Sequence, residues 1–295
     1  TETIPDKRLE MIFTCCHPAL ERKSQVALTL RTLGGLSTDE IAAAFLDKQS
    51  SMQKRITRAK QQIARGAIPY EVLQDADLPE RTSAVLSVLY LIFNEGYSAN
   101  SGTAVLRSEL SGEAIRLTRI IAALLPNDCE AAGLLALMLL HDSRRNARVG
   151  PASEMIALED QNRKRWDREK IQEGVAILNE TLPKQGIGPY QIQAAISAVH
   201  AQSPAWDQTD WTEIVALYEL LHAMQPSPVV QVNLAVAVSY AQTPEAALMI
   251  MEKVATTTRI QTYQPYHAAM GNLLARVGRI TEAKVSFENA IELSE

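Results

Sequence analysis

The sequence has few cysteines, and their positions exclude a fold held by disulfides. Three occur in 295 residues, two of them adjacent at Cys15 and Cys16 and the third at Cys129. A chain of this length with so few cysteines is typical of a reducing compartment. We therefore expect a cytoplasmic protein.

Long hydrophobic runs are also missing. The nearest candidate, residues 85–93, is interrupted by Ser87 and Tyr90 and is much shorter than the roughly 20 residues that cross a bilayer. No charged, apolar and small-residue leader is recognisable. The 46% apolar and 21% charged residues are typical of a soluble globular protein, and no membrane partner is expected.

Strand signals are nearly absent, because apolar residues recur at intervals of three and four rather than in alternation. The pattern predicts an all-α protein with about two domains. We predict a helix-turn-helix domain at residues 1–67, a linker at 68–77 and an all-helical extension at 78–295. The predicted helices include a short one at residues 153–158 and a long one at residues 163–182.

The last predicted helix pair resembles a tetratricopeptide (TPR) repeat. Small residues stand at Gly271, Ala283 and Ala290, and an aromatic residue at Phe287, at the offsets where such repeats pack two helices closely. Weaker units precede it from about residue 210. Repeats bury their cores against neighbours, so the upstream helices are expected to complete a stack.

Charge is unevenly distributed along the chain. Residues 21–68 hold nine Lys or Arg and four Asp or Glu, a balance of +5, which leaves -10 for the remainder of a chain with net charge -5. One short segment can therefore attract phosphate while the rest repels it.

Residues 36–63 have the organisation of a helix-turn-helix. An apolar seam of Ile41, Phe45, Met52 and Ile56 joins two predicted helices, and Ala42 is the small residue where they cross. The polar face of the second helix would enter a major groove, and serine hydroxyls with backbone amides at its start suit phosphate contacts. The predicted DNA-binding residues are Lys48, Gln49, Ser50, Ser51, Gln53, Lys54, Arg55 and Arg58.

Three segments in this region, QVALTLR at 25–31, EIA at 40–42 and KRITRAK at 54–60, resemble region 4 of the extracytoplasmic-function sigma factors of the sigma-70 family. In the turn, Leu46 and Asp47 depart from the usual glycine and apolar residue. Five more segments resemble a subgroup with a long helical C-terminal extension. They are IFTCCHPAL at 12–20, LIFNEGY at 91–97, GLLALMLL at 133–140, DQNRKRWD at 160–167 and GPYQIQAA at 188–195.

This resemblance implies that region 4 reads the upstream (-35) promoter element and contacts the flap of core RNA polymerase. The extension would then regulate activity through a protein or a small ligand. Region 2, which melts promoters in that family, has no counterpart here. Together with the start at Thr1, this leads us to expect a C-terminal part of a longer sigma factor. We expect the acidic extension either to cover the basic helix-turn-helix domain at residues 1–67, here called the reader, or to recruit a regulator.

Other functions have weaker support. Cys15, Cys16 and His17 invite a metal interpretation, but adjacent cysteines without a second cluster make a poor tetrahedral site. Polar residues between Glu95 and His200 form no nucleophile, phosphate-loop or metal motif. No enzyme, cofactor or metal is therefore expected.

Two further alternatives stay open from the sequence. Trp166, Tyr190 and Trp206 are candidate lining residues of a groove in the extension, since helical stacks commonly bind peptides or small effectors. The main competing function is a TPR-type interaction scaffold that recognises no promoter.

Overall fold

The computed structural model describes residues 7–45, 47–66, 78–97, 104–151, 154–184, 186–256 and 258–293. Within these ranges the chain forms fourteen α-helices and no strand, apart from an isolated bridge between Val149 and Met155. The predicted all-α fold is therefore confirmed. Leu46 and the predicted linker at 68–77 lie outside the described residues. No helix in the described ranges is long and apolar enough to cross a bilayer.

The chain divides into two compact units, Thr1–Gln185 and Gly186–Glu295. The helices of unit 1 are α1 (Lys7–Cys15), α2 (Arg22–Thr32), α3 (Thr38–Ala44), α4 (Gln49–Ala64), α5 (Leu78–Tyr97), α6 (Ala104–Leu124), α7 (Cys129–Ser143) and α8 (Arg168–Thr181). The helices of unit 2 are α9 (Pro189–Gln202), α10 (Trp211–Met224), α11 (Pro228–Ala241), α12 (Pro244–Val254), α13 (Gln264–Arg276) and α14 (Ile280–Glu292).

Side chains at the helix starts explain several of these boundaries. The carboxylate of Asp128 accepts a hydrogen bond of 2.9 Å from the amide of Ala131 at the start of α7. Asp167 caps α8 by accepting from the amides of Glu169 and Lys170. Each bond satisfies an amide that has no partner within the helix.

The core of unit 1 is built around α7, in which residues 134–140 are all buried. This helix packs against α5, α6 and α8. At Gly174 of α8, an added Cβ would lie 2.9 Å from Cγ of Leu140. The missing side chain therefore lets α7 and α8 approach closely.

The start of the predicted extension packs on the predicted reader. The guanidinium of Arg81 donates to the carbonyl of Phe13 at 2.9 Å, and that of Arg22 donates to the carbonyl of Ala84 at 3.3 Å. Arg116 donates to the carbonyl of Leu33 at 3.0 Å. Residues 78–184 thus share a compact unit with the helix-turn-helix. The division into a helix-turn-helix domain at residues 1–67 and a separate extension at 78–295 stays a prediction.

Unit 2 is formed by consecutive helices that pack on one another from α9 to α14. Its core extends from Ile192 to Ala283. In the last pair, an added Cβ at Gly271 would lie 2.8 Å from the ring of Phe287, and Ala283 and Ala290 are buried. The ring of Phe287 thus contacts α13 at Gly271, although 39% of this side chain is exposed. The assignment to the TPR class stays a prediction.

Two helix predictions in unit 1 were wrong. No helix forms at residues 154–157, where Met155 makes the isolated bridge, and a 3-10 turn follows at Leu158–Asp160. The helix predicted at 163–182 is split into a 3-10 turn, Arg163–Arg165, and α8. The split occurs because Asp167 adopts an extended conformation as the N-cap of α8. Local capping therefore overrides the continuous apolar spacing.

Candidate nucleic-acid interface

A capping box sets the position of α3, the first helix of the helix-turn-helix. The amide of Glu40 donates to the hydroxyl of Ser37 at 3.2 Å, and the amide of Ser37 donates to the carboxylate of Glu40 at 2.6 Å. Hydrogen bonds from Ser37 lower the pKa of Glu40. This reciprocal bonding satisfies two amides that have no partner within α3, and it thereby fixes where the helix starts.

The predicted apolar seam holds α3 against α4. Ile41, Ala42, Met52 and Ile56 are all buried, and Phe45 is half-buried at the end of α3. One side of α4 is buried in this seam, and its opposite side carries polar residues that face solvent. We call α4 the recognition helix.

Seven of the eight predicted DNA-binding residues are exposed at the start or on the outer side of the recognition helix, and the side chains of six of these form no hydrogen bond with another described residue. Among the described residues, neither Lys54 nor Arg58 forms an ion pair. Positive charges without carboxylate partners are available to phosphate. The six are Lys48, Ser50, Ser51, Gln53, Lys54 and Arg58.

The other two predicted residues are engaged within the motif. Gln49 is exposed, and its amide donates to the carboxylate of Asp39 on α3. Arg55 is half-buried, and its guanidinium lies 2.7 Å from the carboxylate of Asp47. Both contacts connect the recognition helix to the segment before it. Gln49 and Arg55 therefore stabilise the helix-turn-helix in addition to their predicted role in DNA binding.

Asp47 occupies the turn position where the sequence departs from the usual apolar residue. Its carboxylate accepts from Arg55 and, at 2.8 Å, from the amide of Lys48. These hydrogen bonds, that from Arg55 being the stronger, lower the pKa of Asp47. An ionised carboxylate in the turn thus replaces apolar packing with a charge-assisted contact.

A basic groove of about 810 Å³ runs beside the recognition helix. Four cationic side chains line it, together with serine and glutamine side chains and one acid, Glu21. The cations are Lys54, Arg55, Arg58 and Arg65. Arg65 was absent from the predicted set. It follows Arg58 by seven residues, a spacing that places both on one helical face.

The helices that follow the predicted linker leave this outer face exposed. Within unit 1, α5 packs on α1 and α2, and α6 contacts α3. Lys54, Arg58 and Gln62 are all exposed. The described part of unit 1 therefore presents the basic groove to solvent.

The cysteines next to the motif pack as buried apolar groups. Burial raises the pKa of Cys15 to about 12 and that of Cys16 to about 11. A thiol with such a pKa is a poor source of the thiolate that metals bind. Across the described residues, no group of three or more metal-ligating side chains is assembled.

The three predicted groove residues of the extension fall in different surroundings. Trp166, in unit 1, is buried, and the Arg163 guanidinium lies 5.0 Å from its ring. Tyr190 is half-buried at the start of α9. Trp206 packs with Trp211 and Tyr240 at centroid distances of 4.7 and 5.3 Å. The groove stays a prediction.

Polar residues of the extension form ion pairs between neighbouring helices. Asp142 of α7 accepts from Arg145 at 2.7 Å and from Lys170 of α8 at 2.8 Å. Arg119 of α6 pairs with Glu173 of α8. These side chains have structural partners, which accounts for polar residues in a packed helical unit.

Comparison with known proteins gives matches over both parts of unit 1 and over nearly the whole chain. Residues 10–63 match the family described as sigma-70, region 4. Residues 81–182 match a family of unknown function, DUF6596. An uncharacterized protein of Rhizobium meliloti (strain 1021) is 45% identical over 289 residues, which cover 98% of this chain and 68% of that protein.

Proposed function

This chain belongs to the family of that Rhizobium meliloti protein and carries a sigma-70 region 4 domain, and from these facts we propose that it serves as a promoter-reading part of an extracytoplasmic-function sigma factor. The recognition helix would read the upstream (-35) promoter element. Region 4 would also dock on core RNA polymerase. Such a protein acts in the cytoplasm and performs no catalysis itself.

The exposed outer face of α4 is the observation that carries this proposal. Lys54, Arg58 and Arg65 line the basic groove, and the first two form no ion pair with described residues. Charge of this kind supplies the salt-dependent, sequence-independent part of DNA affinity. The exposed residues at the helix start are positioned to meet base edges in a major groove.

DNA binding is the direct test. We would measure fluorescence anisotropy of a labelled duplex taken from the DNA upstream of the protein's own gene at a series of salt concentrations. Three to five phosphate contacts predict a slope of about -3 to -5 in the log-log plot of affinity against salt. A Lys54→Gln/Arg58→Gln variant should lower both affinity and slope.

A variant with the same charge change serves as the control. Lys164 and Arg165 are exposed in unit 1 and do not line the basic groove. Lys164→Gln/Arg165→Gln should therefore leave the slope unchanged. Equal losses in both variants would mean that net charge alone determines binding, and the proposed interface would be wrong.

Polymerase docking separates this proposal from the competing scaffold function. Purified chain should be retained by immobilised core RNA polymerase and should retain the labelled promoter duplex in turn. A TPR-type scaffold would bind a protein partner but would show no promoter preference. Retention of polymerase without promoter discrimination would favour the scaffold.

We further propose that the extension regulates promoter reading, either by covering the reader or by recruiting a regulator. Since α5–α8 share a compact unit with the reader, a cut between Gln185 and Gly186 tests the contribution of unit 2 without removing the helices packed on α1–α3. Circular dichroism would first verify that residues 1–185 are folded. Tighter DNA binding than the full chain would support masking, and equal binding with weaker initiation would support recruitment.

A further inference from the structure

A second cavity lies on another side of Arg55, between the helix-turn-helix and α5. It has a volume of about 510 Å³ and is lined by residues of both segments. Its apolar lining is Val26 and Ala27 of α2, Phe45 and Met52 of the helix-turn-helix, and Leu91 of α5. This volume falls in the range of small-molecule sites, which are mostly apolar with a few charged groups.

Leu91 distinguishes this cavity from ordinary packing. Its neighbours on α5, Leu89, Ile92 and Phe93, are buried, whereas Leu91 is 45% exposed. A large apolar side chain at the edge of an apolar cavity gains free energy when a ligand covers it. The cavity therefore presents apolar surface at which a ligand's apolar body can be buried.

The charged lining favours an anion. Three cations, Arg22, Lys23 and Arg55, face two acids, Asp47 and Glu95. Asp47 is already engaged by Arg55 at 2.7 Å, and burial raises the pKa of Glu95. Lys23 forms no ion pair with any described residue. The charge of Lys23 contributes less than Arg55 to the lowered pKa of Asp47, and the lining as a whole has one more cation than acids.

Arg55 belongs to the lining of both cavities, this one and the basic groove of the recognition helix. We propose that the cavity against α5 binds a small molecule with an apolar body and one anionic group, and that such binding weakens DNA binding through Arg55. A guanidinium attracted by an anion in the α5 cavity is less available to phosphate in the groove. Binding at two sites that compete for one group is negatively coupled.

The binding experiment uses the full chain and a pair of dyes. The probe is 1-anilinonaphthalene-8-sulfonate, and its uncharged counterpart is N-phenyl-1-naphthylamine, which has the same apolar body. We expect the sulfonate to bind about fivefold more tightly, the contribution of one partly exposed ion pair. Lys23→Gln should reduce this preference, with Arg55 still attracting the sulfonate, and should leave the uncharged dye's affinity unchanged.

Leu91→Glu tests the apolar wall, and Met249→Glu is its control. Met249 is 64% exposed on α12 of unit 2. Leu91→Glu should weaken both dyes, whereas Met249→Glu should weaken neither. If Leu91→Glu and Lys23→Gln leave the sulfonate's affinity unchanged, the dye binds elsewhere and the site is wrong. Equal affinity for both dyes would overturn the anionic class.

The coupling experiment adds saturating sulfonate dye to the DNA-binding measurement. We expect about a fivefold loss of DNA affinity in the parent chain, within the usual range of coupling energies, and no loss in Leu91→Glu. An equal loss in both would overturn the coupling. Displacement of the dye by core polymerase, together with weaker polymerase binding by Leu91→Glu, would assign the cavity to a protein and overturn the proposal.

Only the coupling rests on the proposed function. If the parent chain bound no DNA, the promoter-reading proposal would fail, while the two dyes and the Lys23 and Leu91 variants would still decide whether the cavity binds an anionic ligand.

Discussion

The carboxylate of Asp47 accepts a hydrogen bond of 2.7 Å from the guanidinium of Arg55. One partner lies in the turn of the helix-turn-helix and the other lies in the recognition helix. The contact makes Arg55 part of the support of the motif, whereas Arg58, one turn later, is exposed. Two arginines with the same predicted role therefore have different surroundings.

Substitution of these two arginines should have different consequences. Arg58→Ala should reduce the salt slope of DNA binding by about 1 and change stability by at most about 0.5 kcal/mol, as is usual for exposed positions. Arg55→Ala should also lower the melting temperature, because Asp47 loses its cationic partner. Thermal melting and anisotropy on the same samples check both effects. If Arg55→Ala and the parent chain had equal melting temperatures, the contact between Arg55 and Asp47 would not support the fold.

The capping box should contribute measurably to the stability of unit 1. Ser37→Ala removes the hydroxyl that accepts from the Glu40 amide and should cost about 1 kcal/mol. Ser37→Gly should cost less, since glycine is tolerated at an N-cap. Urea unfolding followed by circular dichroism measures both variants. Indistinguishable unfolding of Ser37→Ala and the parent chain would contradict this role of the cap.

His141 should make the protein less stable as the pH falls. Its ring packs against Phe93 and Tyr97, and burial, followed by repulsion from Arg144 and Arg148, holds its pKa well below the usual value of 6.5. The unfolded chain therefore takes up a proton first, and the folded state loses up to about 1.4 kcal/mol per pH unit below about pH 6.5.

Urea unfolding at pH 7.5, 6.5 and 5.5 would measure this slope. His141→Leu should reduce the slope between pH 6.5 and 5.5, whatever its effect on stability at pH 7.5. If the parent chain and the variant show the same slope, other groups account for the pH dependence.

A side chain at Gly271 should separate α13 from α14. Gly271→Leu would place atoms where the ring of Phe287 lies and should cost about 1 to 3 kcal/mol through overpacking. Gly112→Leu is the control, because nothing lies within 4 Å of a Cβ added there on α6. Phe287→Ala should recover part of the loss in Gly271→Leu. A loss that Phe287→Ala leaves unchanged would have a cause other than the ring.

The helices were predictable because their signals are local. Apolar spacing with caps at Ser37 and Asp128 places the starts of α3 and α7 within a few residues, and the core positions of α3 and α4 follow from that spacing. The helix predicted at 153–158 is absent over residues 154–157, where Met155 instead forms a bridge with Val149, because apolar spacing within a segment carries no information about pairing with another segment. Irregular segments of this kind are determined by packing.

The sequence alone also determined the composition of the outer face of α4, the candidate DNA-binding face. Basic residues at three- and four-residue spacing on α4 must share one side, since the period of the helix requires it. Only the tertiary structure decided which of them are available. Asp47 engages Arg55, Arg65 joins the groove, and Leu91 and Glu95 of α5 close a cavity against α2. These relationships join residues far apart in the chain, and they depend on how helices pack, which no local pattern encodes.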